Sequence, residues 1–137
     1  MPKHVPQGSE GFNPFGELIG LRFTKFENGY SQCQLDVEQN LLNPYGVVHG
    51  GVICSLADTA MGGALYSCMS ENERCVTVEM KVAYFHSVTS GTVNCTATVV
   101  HKSRRLGFVG AEIKSGDRVV ATASGTFSIF EANAGSQ

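Results

Sequence analysis

Residues 43–69 read NPYGVVHGGVICSLADTAMGGALYSCM, a turn-rich loop that passes through His49-Gly50-Gly51 and continues as a long helix. Val52, Ile53, Leu56, Ala57, Ala60, Met61, Ala64, Leu65, Cys68 and Met69 recur as adjacent pairs four apart. That spacing is one wide buried stripe at the helical period. One carboxylate, Asp58, interrupts the helix. At about 100° per residue it falls on the flank of the stripe, and its neighbours one turn away, Ser55 and Gly62, are small. The stretch predicts a helix inside a core, with an acid on a flank that has room beside it.

On either side the chain alternates at the period of strands. Asn13-Pro14 starts a short helical turn that Gly20 ends. Leu21 to Phe26 and Ser31 to Glu38 are strands joined by a hairpin at Glu27-Asn28-Gly29. After the helix and a polar loop, Val76 to Tyr84 alternates Val76, Val78, Met80, Val82 and Tyr84 against Thr77, Glu79, Lys81 and Ala83, which puts Thr77 on the polar side. Thr92 to His101, Leu106 to Ile113 and Val119 to Phe130 follow, with a tight turn at Ser115-Gly116-Asp117. Short turns imply antiparallel neighbours, so the class is α+β. One helix cannot cover both faces of six strands. A curved antiparallel sheet wrapped around it fits, with the outer face against another subunit or water.

The chain of 137 residues is expected to be a single domain, with residues 1–13 and 131–137 as flexible tails. A net charge of −2 gives no reason to expect nucleic acid or an anionic membrane as a partner. No apolar run reaches the length of a bilayer span, and the N-terminus lacks the apolar region of a secretory signal. Five cysteines without a CxxC read as reduced, buried thiols of a cytoplasmic protein. Cys54, near the helix start, reads as an inert core thiol. Four scattered histidines give no metal spacing, so neither a metal nor a cofactor is expected.

Chemistry concentrates in the central stretch. Glycines at a helix start let a ligand approach the backbone, and the first-turn N–H groups lack intrahelical partners. With the helix dipole they suit a phosphate or the oxyanion of acyl transfer; the bland alternative is a tight loop-to-helix turn. Asp58 likewise reads either as an acid facing water or as a functional carboxylate. Gly62-Gly63 inside a helix costs about 1–2 kcal/mol relative to alanine, which accompanies close packing or a crevice. Gly50 and Asp58 lie about 12 Å apart along the helix axis. A base and an oxyanion donor must each reach one carbonyl within about 3 Å. If both act together, Gly50 of one subunit must meet Asp58 of another across a two-fold axis.

The run NPYGVVHGGVICSLADTA closely resembles the signature of hotdog-fold acyl-CoA thioesterases of the phenylacetyl-CoA (PaaI-like) group, relatives of the Arthrobacter-type 4-hydroxybenzoyl-CoA thioesterases. The resemblance extends from about Leu18 to Phe130 and includes TVEMKVAYFHSV and HKSRRLGFVGAEIKSGDRVVATASGTF. It implies hydrolysis of an aryl- or fatty-acyl-CoA to acid and free CoA, the coenzyme being part of the substrate. Asp58 would be base or nucleophile, Gly50 the oxyanion donor beside Gly51, and His49 and Asn43 residues bordering the thioester. Thr77 would position the water. In similar proteins the turn that matches His101 to Arg105 helps bind CoA phosphates, which points to Arg104 first, then Lys102 and Arg105. Met61, Tyr66 and Phe85 are candidates to line the acyl pocket. The resemblance implies a dimer with shared sites, assembled as a dimer of dimers. Two other readings stay open: a non-catalytic acyl-CoA-binding module, and another hotdog enzyme such as an acyl dehydratase.

Overall fold

The structure, a computed structural model, describes residues 13–132. Residues 1–12 and 133–137, most of the two tails expected to be flexible, lie outside them. Asn13 and Glu131, counted with those tails, have defined places. Asn13 caps α1 (Pro14–Ile19), its Oδ1 accepting from the Gly16 amide at 3.3 Å, and Glu131 ends the last strand.

Six strands form one antiparallel sheet: β1 (Arg22–Glu27), β2 (Tyr30–Asp36), β3 (Glu73–Tyr84), β4 (Thr92–Lys102), β5 (Leu106–Ser115) and β6 (Arg118–Glu131). Their order is β1-β2-β4-β5-β6-β3. Local chemistry makes the turns. Asn28 and Gly29 both take positive φ, 48° and 80°, as a hairpin of the kind that matches strand twist requires. Between β5 and β6, Gly116 alone does so, at 62°.

The order explains the long helix α2 (Gly50–Tyr66). β2 and β3 follow one another in sequence but are separated by β4, β5 and β6. The connection must therefore cross four strand spacings, about 19 Å. A helix of 17 residues spans about 25 Å, enough to make that crossing. α2 lies across the concave face against every strand, and Leu56, Met61, Ala60, Ala64 and Leu65 are fully buried there beside Leu35, Val93, Val109 and Ile113. This is the expected α+β hotdog arrangement of a curved sheet around one helix.

Two buried hydroxyls tie helix to sheet. Ser31 Oγ donates to the Ala60 carbonyl at 2.5 Å, and Ser67 Oγ donates to the Ala64 carbonyl while accepting from the Gly29 amide. None of the five cysteines, all among the described residues, is joined in a disulfide. Cys33 and Cys95 face each other across β2 and β4, and burial pushes the Cys95 thiol up to about 12 and Cys33 higher still, so both stay protonated. Cys54 packs toward Met80, Sγ to Sδ 3.9 Å.

The glycine pair divides into two roles. A Cβ at Gly63 would stand 2.5 Å from Phe23 Cε1, so β1 approaches α2 closely there, whereas at Gly62 the nearest atom is Phe127 Cε2 at 3.8 Å. Gly63→Ala should destabilise by about 1–3 kcal/mol as Phe23 is displaced. Gly62→Ala should stabilise by up to about 1 kcal/mol through helix propensity. Urea midpoints at unchanged m decide the pair; equal shifts in both would contradict the packing assignment.

Four strands carry an extra residue that breaks simple alternation, Thr24 in β1, Val78 in β3, Val100 in β4 and Val120 in β6, and those in β3 and β6 change an expected face. In β3, Thr77 pairs with Phe127 but Glu79 pairs with the next residue back, Thr126, so Val78 is an extra residue. This bulge reverses the phase. Val76 and Val78, expected inside, are 53% and 61% exposed, and Thr77, expected on the polar face, points to the helix. In β6, Val120 is likewise passed over between Lys114–Val119 and Ile113–Ala121, so Val120 and Ala121 are both buried.

Candidate active site

The loop before α2 is built by Asn43. Its Oδ1 accepts from the Tyr45 and Val47 amides, at 2.9 and 3.3 Å, and its own amide donates to the Val47 carbonyl. Its side-chain oxygen is thus used in shaping the turn, with the NH2 group left over. His49 caps α2: its Nδ1 accepts from the Gly51 amide at 2.8 Å. A neutral imidazole that accepts at Nδ1 carries its proton on Nε2. Among the described residues nothing accepts from the amide of Gly50. That N–H, at the positive end of a helix, is available to an incoming oxygen.

Tyr84, at the end of β3, reaches this same point and donates to the Gly50 carbonyl at 2.7 Å. Beside it opens a crevice of about 220 Å³, lined by Val48, Gly50, Ile53, Tyr84, Phe85, His86, Ser87 and Val88. Phe85 is one of its lining residues. Met61 is not: it has no exposed surface, and its Cε would lie 3.1 Å from a Cβ at Gly125. It belongs to the core, because its position on α2 faces the centre of the sheet rather than a flank. Tyr66 packs on Phe26, centroids 5.6 Å apart, near β1. Arg118 contacts His86 Nδ1 at the crevice rim.

Asp58 stands half-buried two turns further along α2, where Thr77 donates to its Oδ1 at 2.7 Å. Its Oδ2 takes no hydrogen bond among the described residues. The carboxylate is thus held by one oxygen and open at the other, the arrangement a base or nucleophile needs. Thr77 was the site residue least compatible with alternation, and the bulge at Val78 is what turns it inward.

The basic turn between β4 and β5 lies at the Thr77 end of the sheet. Ile129, which pairs with Cys75, donates its amide to the Arg105 carbonyl at 2.9 Å. Arg104 and Arg105 are exposed and have no acidic partner among the described residues. Lys102 is spoken for, its Nζ 3.7 Å from Glu73 Oε1. Glu73 also accepts from the Ser70 amide, and these contacts hold its carboxyl below the usual range. Among the described residues no three His, Cys, Asp or Glu side chains converge to hold a metal. None of their helices is long and apolar enough to cross a membrane.

A single helix crossing a six-stranded antiparallel sheet, with a capped glycine turn at its start and a threonine-held carboxylate on its flank, defines a hotdog protein of the thioesterase type. Residues 45–122 match the model of the thioesterase superfamily, more than half of the chain, and the protein belongs to that family. Membership implies a substrate of the acyl-CoA type. A conserved protein of Pseudomonas aeruginosa is 38% identical in sequence and superposes with a TM-score of 0.83, over 85% of this chain and 94% of that one. Phenylacetic acid degradation protein PaaI of Thermus thermophilus is 28% identical, with a TM-score of 0.79 over 84% and 97%. The proofreading thioesterase EntH of Klebsiella pneumoniae is 28% identical across 64% of each chain.

Proposed function

We propose that this protein hydrolyses an aryl- or fatty-acyl-CoA thioester to the free acid and CoA, in sites shared between two copies of the chain. Asp58 acts as general base on water or as nucleophile on the carbonyl carbon. The Gly50 amide, with His49 Nε2–H beside it, accepts the charge that develops on the carbonyl oxygen. Thiolate is a good leaving group, so a polarised carbonyl and an activated water suffice.

The observation that carries this reading is the pair of bonds that β3 makes to α2. Tyr84 touches Gly50 at one end, and Thr77 touches Asp58 at the other. Within one chain those points are well separated, about 12 Å along the helix alone. β3 is also a sheet edge, 12 residues long, with Val76 and Val78 exposed and an unpaired row of backbone groups. Such an edge calls for a second strand. Antiparallel pairing of two β3 strands about a two-fold axis through Lys81, with Val78 passed over as it is against β6, sets Tyr84 of one copy opposite Thr77 of the other. It thereby brings each Gly50 toward the opposite Asp58. The outer sheet face, where Val100, Phe108 and Phe130 are exposed, suits further assembly into a dimer of dimers. Arg104 and Arg105, at the Thr77 end, suit the CoA phosphates, and five cysteines outside any disulfide suit a cytoplasmic setting.

Thiol release from a panel of aryl- and fatty-acyl-CoAs tests the reading. Turnover on at least one thioester is expected, and the best substrate identifies the acyl class. Binding of CoA thioesters with no thiol released would replace the enzyme by a binding module. Hydration of an enoyl-CoA without thiol release would indicate a dehydratase.

A further inference from the structure

We propose that Tyr84 is a positioning residue for the oxyanion end of this site: by clamping the Gly50–Gly51 peptide it makes His49 present an Nε2–H next to the free Gly50 amide. The inference rests on the thioesterase reading and gives Tyr84, there only a marker of where β3 meets α2, a part in setting the oxyanion donors.

The geometry is a short chain of bonds through one peptide unit. Tyr84 Oη donates to the Gly50 carbonyl at 2.7 Å. The N–H at the other end of that same peptide, Gly51's, donates to His49 Nδ1 at 2.8 Å. A peptide unit is planar and stiff, so a bond at each end fixes its rotation as a whole. Drawing density from the carbonyl also strengthens its N–H as a donor, since bonds in a chain polarise one another. The sequence shows why a clamp is needed. Two consecutive glycines open α2, and glycine restricts φ and ψ less than any other residue. Left to themselves they would let the first turn wander, whereas oxyanion donors act by being in place before the charge forms.

The consequence falls on two donors. With Nδ1 engaged as acceptor, the neutral His49 ring must carry its proton on Nε2. The Gly50 N–H belongs to the adjoining peptide, so fixing the Gly50–Gly51 unit also limits where that N–H points. The Tyr84 ring lies against Gly50, Cε1 3.6 Å from where a Cβ would stand, which adds packing to the bond. Burial pushes its phenol up, so the hydroxyl remains a donor through the neutral range. Tyr84 touches no reacting atom in this scheme. It acts through His49 and the backbone.

Tyr84→Phe keeps the ring on Gly50 and removes one half-exposed hydroxyl, so the fold is retained. The expected result is a kcat about tenfold or more lower, with KM for the same thioester changed by less than about twofold. A plain tie between β3 and α2 would instead lower the melting temperature and leave kcat per folded molecule alone. Side-chain 15N NMR of histidine-labelled protein supplies a readout independent of activity. Wild type should show His49 as a single Nε2–H tautomer, and Tyr84→Phe a mixture. A wild-type His49 protonated on Nδ1, or a Tyr84→Phe protein with unchanged kcat and unchanged tautomer, overturns the clamp while Asp58-dependent turnover stands. If wild type releases no thiol at all, the enzymatic reading fails, and the tautomer comparison still decides whether the clamp exists.

Discussion

Asp58→Asn should lower thiol release from the best acyl-CoA by about 10²-fold or more while leaving the urea midpoint close to that of wild type. The magnitude is that of a positioned general base, and the small effect on stability follows from the site. Asn is nearly isosteric with Asp, and its amide oxygen can still accept the Thr77 hydroxyl that now binds Asp58 Oδ1. What is lost is the free oxygen, Oδ2, which becomes an NH2 group that can neither take a proton from water nor attack a carbonyl. Thr77→Val supports the same assignment at smaller scale, because it frees the carboxylate to rotate without removing it; Thr77→Ser should restore the bond and the rate. If Asp58→Asn turned over as fast as wild type, the carboxylate would be a surface acid and the reading would need a different base. Near Gly50, His86 has its Nδ1 against Arg118. His49 Nδ1 is already an acceptor, and Cys54 is turned toward Met80.

The sequence carried the outline of this site further than its details. Helical pairing of apolar residues from Val52 to Met69 located α2, and strict alternation over Ser31–Glu38 located β2 with its inner face correct, since Ser31, Cys33 and Leu35 are buried. Asn28-Gly29 announced its own turn. Alternation failed at Val78 and Val120, as it does at Thr24 and Val100, and for one physical reason. A bulge is a relation between two paired strands, one of which has an extra residue, and nothing within a single strand's sequence records it. That is why periodicity placed Thr77 on the wet face although the family resemblance placed it in the site. The clamp of Tyr84 on Gly50 was equally hidden, because it joins residues 34 apart whose proximity depends on where α2 crosses the sheet. Met61 shows a different limit: its position on the helix was right and it is fully buried, but a buried stripe does not say which of its members also border a cavity.

Mixing two impaired variants should restore activity if the site is shared between chains. His49→Ala spoils the Gly50 half of a site, and Asp58→Asn spoils the carboxylate half. In a homodimer of either variant both sites carry the defect. In a mixed dimer one site combines the intact His49 of one chain with the intact Asp58 of the other, and the second site combines both lesions. Random reassortment gives mixed dimers as about half of the population, each with one good site of two, so recovery should approach about a quarter of wild-type activity. Sites contained within one chain predict that the mixture never exceeds the average of its parents. A matched control removes the trivial explanation that mixing rescues folding. Asp58 and Thr77 are bonded within the same chain, so Asp58→Asn mixed with Thr77→Val leaves no site with both groups intact and should not recover. Complementation by the first pair and not by the second would fix which residues each chain contributes. It would also account for why β3, with its exposed valines, stands at the edge of the sheet rather than inside it.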